Sequence, residues 1–329
     1  MTVTRRRALT ILPGLVAAGI VAPTVLAGSA APTAAAASVR PYFGAADWLW
    51  DPIPTGPVLD PQSAQMVNFL RTGKHVALMR QFGVTLRGPS GITASTPRYD
   101  VAFSQVPAWG PDPFGRDTMP IPTGTPVPPG SDGHLAVADP QTGQVFNLWQ
   151  ARQSRSSWAA SWGSKVPLNG DGRETFGSSS TGARLARYAA VVRASEIAAR
   201  NIPHALFFST DMAAPAANFR YPAAGSDGAN MARVATPIPE GTRVRLDPSV
   251  NLAAIPGITA FELVVGTALQ RYGAYCGDNG GSRMSFLFEY EAGAAPGPSY
   301  AAAGAAFDYF DLVRLPWDKL QVLRSWNGS

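Results

Sequence analysis

Polar and apolar residues alternate along this chain in short runs separated by turn-forming residues. Residues 76–86, 99–103, 134–138, 145–150, 205–209, 243–246 and 285–290 have strand character, and several of them alternate in polarity as half-buried strands do. Within 134–150, Asp139-Pro140-Gln141-Thr142-Gly143 divides two apolar runs, with proline to set the turn entry and glycine free to take a positive φ. That segment predicts a hairpin. A helical period occurs three times. Asp60-Pro61 reads as a cap followed by proline in the first turn, with apolar Met66, Val67, Phe69 and Leu70 behind it and Gly73 as the stop. Residues 195–200 form a second, very short helix, and 259–271 put Phe261, Val264, Val265, Ala268 and Leu269 on one stripe.

Composition strengthens the β reading. The 33 glycines and 30 prolines, with only 15% charged residues, fit many short elements joined by turns. No fixed-period repeat is present, which disfavours a propeller or solenoid. The expected fold is all-β: a two-sheet β-sandwich, jelly-roll-like, with a few short peripheral helices. A propeller or a two-domain split is the weaker alternative. The proline-rich stretch 106–129 reads as a long ordered loop able to border a site.

The N-terminus carries a different signal. Arg5, Arg6 and Arg7, with Leu9, resemble a twin-arginine consensus, and a weakly apolar run to Ala27 and an alanine tract follow. Residues 1–37 therefore read as an export signal peptide, and 38–329 as a single secreted, extracellular domain. A permanent anchor is the competing reading, but Pro13, Pro23 and the alanine tract favour cleavage. Residues 1–37 hold three arginines and no acid, so the formal +5 falls to +2, with 24 basic residues against 22 acidic ones. Such a balance gives nucleic acid no basic face to bind. No later segment is apolar enough to span a membrane, so no membrane contact is expected once the signal is removed. Cys276 is the single cysteine, which excludes an intramolecular disulfide.

Candidate chemistry is spread thinly. His134 follows Ser131-Asp132-Gly133 and leads into an apolar strand, so its imidazole lies at a strand mouth, where a catalytic base could sit; a plain turn is the alternative. His204 enters another apolar run, as a site residue or a satisfied core histidine, and His75 follows a helix stop, where a helix dipole accounts for it. The densest anomaly is Tyr272-Gly273-Ala274-Tyr275-Cys276-Gly277-Asp278-Asn279-Gly280-Gly281. Asp-Asn-Gly-Gly reads as a hairpin tip. Tyr272, Tyr275 and Asn279 beside the Asp278 carboxylate also suit a sugar site. Glu289 and Glu291 would share one strand face with Cα atoms about 6–7 Å apart, a spacing that invites paired-carboxylate glycosidase chemistry.

Eight tryptophans, Trp48, Trp50, Trp109, Trp149, Trp158, Trp162, Trp317 and Trp326, supply flat rings for stacking on sugars, although core packing accounts for such residues as well. There is no nucleophile elbow, P-loop or dinucleotide fingerprint, so no cofactor is expected. Cys276 reads better as a small buried hydrophobe than as a nucleophile. No metal motif is present, and a divalent ion held by Asp132, His134, His204 and Asp278 is a weak reading.

The order of Trp50-Asp51-Pro52-Ile53-Pro54, Leu59-Asp60-Pro61-Gln62-Ser63, Ser131-Asp132-Gly133-His134, Leu168-Asn169-Gly170-Asp171-Gly172, His204-Ala205-Leu206 and Asp278-Asn279-Gly280-Gly281 resembles a family of secreted actinobacterial proteins. The resemblance covers most of the chain after the signal. It implies export and a single domain, and it assigns no activity or residue role.

The expected function is that of a secreted glycan-active enzyme, a hydrolase or, less favoured, a lyase, acting on extracellular or cell-wall polysaccharide. Asp132, His134, His204, Asp278 and Glu289 are the catalytic candidates, and Tyr272, Tyr275, Asn279 and Trp149 the substrate-binding ones. A carbohydrate- or envelope-binding protein without catalysis is the alternative, and a metal-dependent phosphoesterase a third.

Overall fold

The computed structural model describes residues 40–329 apart from residue 294, so the expected export signal lies outside the described residues. The strands, in chain order, are β1 (His75–Leu78), β2 (Val84–Arg87), β3 (Arg98–Tyr99), β4 (Val101–Phe103), β5 (Met119–Pro120), β6 (His134–Asp139), β7 (Gln144–Trp149), β8 (Arg152–Ser154), β9 (Ser157–Ala160), β10 (Trp162–Pro167), β11 (Leu206–Thr210), β12 (Arg243–Leu246), β13 (Ala274–Asn279), β14 (Met284–Leu287), β15 (Phe310–Asp311) and β16 (Leu320–Val322). The α-helices are α1 (Asp47–Trp50), α2 (Ser63–Leu70), α3 (Ala194–Ala198), α4 (Ala260–Arg271) and α5 (Pro298–Ala302).

The fold is β-rich, and its two larger sheets are mixed. A seven-stranded sheet runs β15-β1-β14-β11-β13-β12-β16, and a four-stranded sheet runs β10-β7-β6-β2. Parallel pairs occur in both, β1 with β14 and β11 with β13 in the larger, β2 with β6 in the smaller. Smaller sheets join β3 to β5 and β4 to β9 and β8.

Alternation along the strands sends side chains into three cores. Val76, Leu78, Phe207, Tyr275 and Leu287 of the large sheet cluster with Val84, Leu86, Ala136, Ala138, Val145 and Val166 of the four-stranded sheet. The other face of the large sheet, with Ala77, Phe208, Val244, Cys276 and Phe286, packs on Met66 and Leu70 of α2 and Phe261, Val265 and Leu269 of α4. Leu135, Val137, Phe146 and Leu148, on the far side of the small sheet, meet Val101, Phe114, Ile121 and Trp158. Strands buried on both faces read as continuous apolar runs, which is why 205–208 shows little alternation.

The expected hairpin is β6–β7, its turn held by Asp139, which accepts hydrogen bonds from Gln141 N (2.9 Å) and Thr142 Oγ1 (2.7 Å). Helix α4 begins at the Thr259 cap, where Thr259 and Glu262 form a reciprocal capping box. Helix α2 starts at Ser63, later than its sequence suggests, because Asp60 accepts from Gln62 N (2.7 Å) and closes a turn first.

Several strand expectations are corrected, and 99–103 divides at Asp100 into β3 and β4, which belong to different sheets. Residues 76–86 break at 79–83 into β1 and β2, which belong to different sheets. Asp278-Asn279-Gly280-Gly281 is not a hairpin tip, because β11 lies between β13 and β14. The connection instead crosses the end of β11, with Gly280 N donating to Thr210 O (2.9 Å) and Asp211 N to Ser282 O (3.2 Å). Gly280 (φ 126°) and Gly281 (φ 74°) give the chain the backbone freedom for that crossing.

Candidate functional site

A cleft of about 690 Å³ opens where the two larger sheets meet. Its floor comes from the C-terminal ends of the parallel strands β11 and β13, which bring Ser209, Asp278 and Asn279, and from Ser282 and Ser285 of the crossing segment and β14. The smaller sheet supplies His134 at the start of β6, Asp132 from the turn before it, Trp149 at the end of β7 and Trp162 at the start of β10. Trp109, from the long proline-rich loop, closes the aromatic wall. It is 49% exposed and stacks on Trp149, with centroids 5.8 Å apart and planes 13° from parallel.

Asp278 reaches the cleft through an irregularity in β13. Its pairing with β11 steps from Phe208–Cys276 to Ser209–Asp278, skipping Gly277, a bulge that re-aims the residues beyond it. A Cβ on Gly277 would lie 1.9 Å from the Phe207 ring, so glycine alone fits there. Asp278 Oδ2 accepts a hydrogen bond from Arg187 Nη2 (2.9 Å) and Oδ1 accepts one from Gly182 N (3.2 Å). Arg187 is itself buried and also donates to Ser180 O (2.8 Å). Burial raises the Asp278 carboxyl above the ordinary aspartate range; Arg187 opposes this shift and the Asp227 charge adds to it.

On the opposite wall Asp132 behaves differently. His134 Nε2 stands 3.6 Å from its Oδ2, and Trp149 Nε1 donates to its Oδ1 at 3.4 Å. Partial burial pushes this carboxyl up, but the His134 ring, Arg187 and the indole N–H outweigh it and hold Asp132 below the ordinary range. His134 is 3% exposed, and its Nδ1 has no hydrogen-bond partner among the described residues. Burial and the Arg187 charge lower its pKa, which keeps the ring neutral at pH 7.

A third carboxylate, Asp227, lines the cleft and accepts from Asn279 N (3.2 Å). Behind it Glu240 is fully buried, and neither of its carboxyl oxygens receives a hydrogen bond from the described residues. Burial, with the Asp227 and Asp278 charges, pushes Glu240 up to about 10. It therefore keeps a proton at pH 7 and stands beside Asp227 as a neutral acid. Gly182 lies close against the acids: a Cβ there would lie 2.1 Å from Asp227 Oδ1, so a larger residue would displace that carboxyl.

Of the residues expected from sequence, Asp132, His134, Asp278, Asn279 and Trp149 line this one cleft, and four others lie elsewhere. His204 is fully buried, its Nδ1 at 2.9 Å from Ala205 O and its Nε2 at 3.2 Å from Glu196, with Arg193 Nη1 3.4 Å away. Its polar atoms are taken up in tying α3 to the large sheet. Strand β14 ends at Leu287, short of the glutamates; Glu289 accepts from Ala194 N (3.0 Å) at the start of α3 and Glu291 from Ser299 N (2.9 Å) at the start of α5. Tyr275 is buried in the core and donates to Trp48 O (2.9 Å), and Tyr272 caps the end of α4. With His204 apart from the others, the four ligands considered for a divalent ion are not gathered, and among the described residues no three His, Cys, Asp or Glu side chains are grouped to hold a metal.

Arg184, Arg187, Asp227 and Glu240 carry much of the electrostatics and have no motif of their own. One signal does stand in the sequence: Ser-Asp-Gly occurs at 131–133 and again at 226–228, and both copies deliver their aspartate to the cleft. Comparison with protein families, curated proteins and solved structures finds no match for this chain.

Proposed function

We propose that the protein is a polysaccharide hydrolase that acts outside the cytoplasm on extracellular or cell-wall glycan, with the cleft as its active site. The observation that carries this reading is a single cleft that holds two carboxyls in unlike settings, Asp278 buried on Arg187 and Asp132 beside His134 and Trp149, next to the stacked Trp109–Trp149 wall, with burial raising the first and its neighbours lowering the second. Environments that push two acids apart assign the general acid and the general base. Asp278 is then the acid that protonates the departing glycosidic oxygen, and Asp132 the base that takes a proton from the attacking water. The neutral His134 ring orients Asp132. Trp109 and Trp149 offer a flat apolar wall to a sugar face, and the serine- and glycine-rich floor offers hydroxyl and backbone partners to sugar hydroxyls. A two-sheet sandwich, the larger and four-stranded sheets joined by their shared core, is the scaffold this reading adopts.

The test is incubation of the chain from residue 38 onward with bacterial, plant and algal polysaccharides, followed by mass spectrometry. Hydrolysis releases oligosaccharides whose masses include one added water. Products lighter by one water mean elimination, and no products from any glycan would leave a binding protein in place of an enzyme.

A further inference from the structure

Arg184 lines the cleft beside the acids and has no counter-charge of its own. Asp278 lies on Arg187, and Asp227 accepts from Asn279 N and lies beside the neutral Glu240. Among the described residues no carboxylate pairs with Arg184; its one side-chain hydrogen bond is a long one to Ala224 O (3.4 Å). The guanidinium lies over the Phe176 ring, 4.9 Å from its centroid, and Phe176 is 83% exposed. Room for it is made by Gly225, where a Cβ would lie 2.4 Å from Arg184 Nε. Its backbone is held in the left-handed region (φ 54°) by Arg184 N donating to Thr181 O (3.1 Å) and Glu174 N donating to Arg184 O (2.8 Å). A non-glycine residue fixed in that region carries strain, and such strain concentrates where a side chain is held for a ligand.

A planar cation held on an aromatic face and lacking a partner suits bidentate capture of a carboxylate. Resting on the glycan reading above, the geometry points to Arg184 as the residue that selects an acidic polysaccharide, by binding the carboxylate of a uronic-acid unit. Phe176 supports the guanidinium from the other side.

Calorimetry with tetragalacturonate, its fully methyl-esterified form and cellotetraose tests this. The free acid is expected to bind about tenfold or more tightly than the ester, with that advantage lost in Arg184→Gln and kept in part by Arg184→Lys. Added salt should weaken binding of the acid alone. Equal binding of acid and ester by the wild type, or a preference that survives Arg184→Gln, overturns the assignment and leaves the glycan cleft standing. Absence of binding by all three sugars overturns the uronate assignment, and the polysaccharide incubation above then decides the glycan reading by itself. Should Arg184→Gln fail to fold, the acid-to-ester ratio of the wild type and its salt dependence still decide.

Discussion

Exchange of Asp278 for asparagine is expected to lower glycan cleavage by about 100- to 10,000-fold, the usual contribution of a positioned general acid. The amide has the size of the carboxyl, and its oxygen can still accept from Arg187 or Gly182, which donate at 2.9 and 3.2 Å in the wild type. The amide oxygen is the weaker acceptor for Arg187 and Gly182, which should cost about 2 kcal/mol of stability, so the variant stays folded and its defect is chemical. The pH profile separates the two acids. Activity requires Asp278 protonated and Asp132 ionised, so the acid limb lies below the ordinary aspartate value and the alkaline limb above it. Asp132→Asn should remove the acid limb from whatever rate remains. Equal rates for wild type and Asp278→Asn would take Asp278 out of the chemistry.

Stability is expected to fall as pH rises from 7 to 9, with Glu240 a principal cause. Its carboxyl holds a proton up to about 10 in the fold, against 4.5 as its ordinary value. Between those values the folded chain binds one proton more than the unfolded chain, so unfolding releases it and rising pH favours unfolding. For one such group the slope is about 1.4 kcal/mol per pH unit. His75 and His134, both lowered by burial, act in the opposite sense, but only below the ordinary histidine value of 6.5. Glu240→Gln keeps a neutral donor facing Asp227 and has no proton to lose. Urea unfolding at pH 7, 8 and 9 should therefore show a shallower fall for Glu240→Gln than for the wild type. Parallel curves would mean that Glu240 is ionised in the fold.

Local signals in the sequence gave way to long-range pairing at identifiable places. The β6–β7 hairpin and helix α4 are legible because their determinants are local: the Asp139 turn in one, the Thr259–Glu262 box and an apolar stripe in the other. Gly280-Gly281 is equally plain as a turn, but insertion of β11 between β13 and β14 is decided by segments far apart in sequence. The same holds for the site. Asp132, His134 and Asp278 stand out beside glycines at strand ends, and the cleft gathers them. Glu289 stands out equally and caps a helix instead, because its strand stops early. Arg187 shows no local sign of its role, since only the bulge at Gly277 brings Asp278 to it.

The most direct test of the glycan cleft is a crystal structure of Asp278→Asn with an oligosaccharide released by the wild type. Sugar rings are expected against Trp109 and Trp149, with the scissile oxygen about 2.6–3.2 Å from the side chain of residue 278. An oligosaccharide seated elsewhere, or one in the cleft with its glycosidic oxygens out of reach of both residue 278 and Asp132, would contradict it.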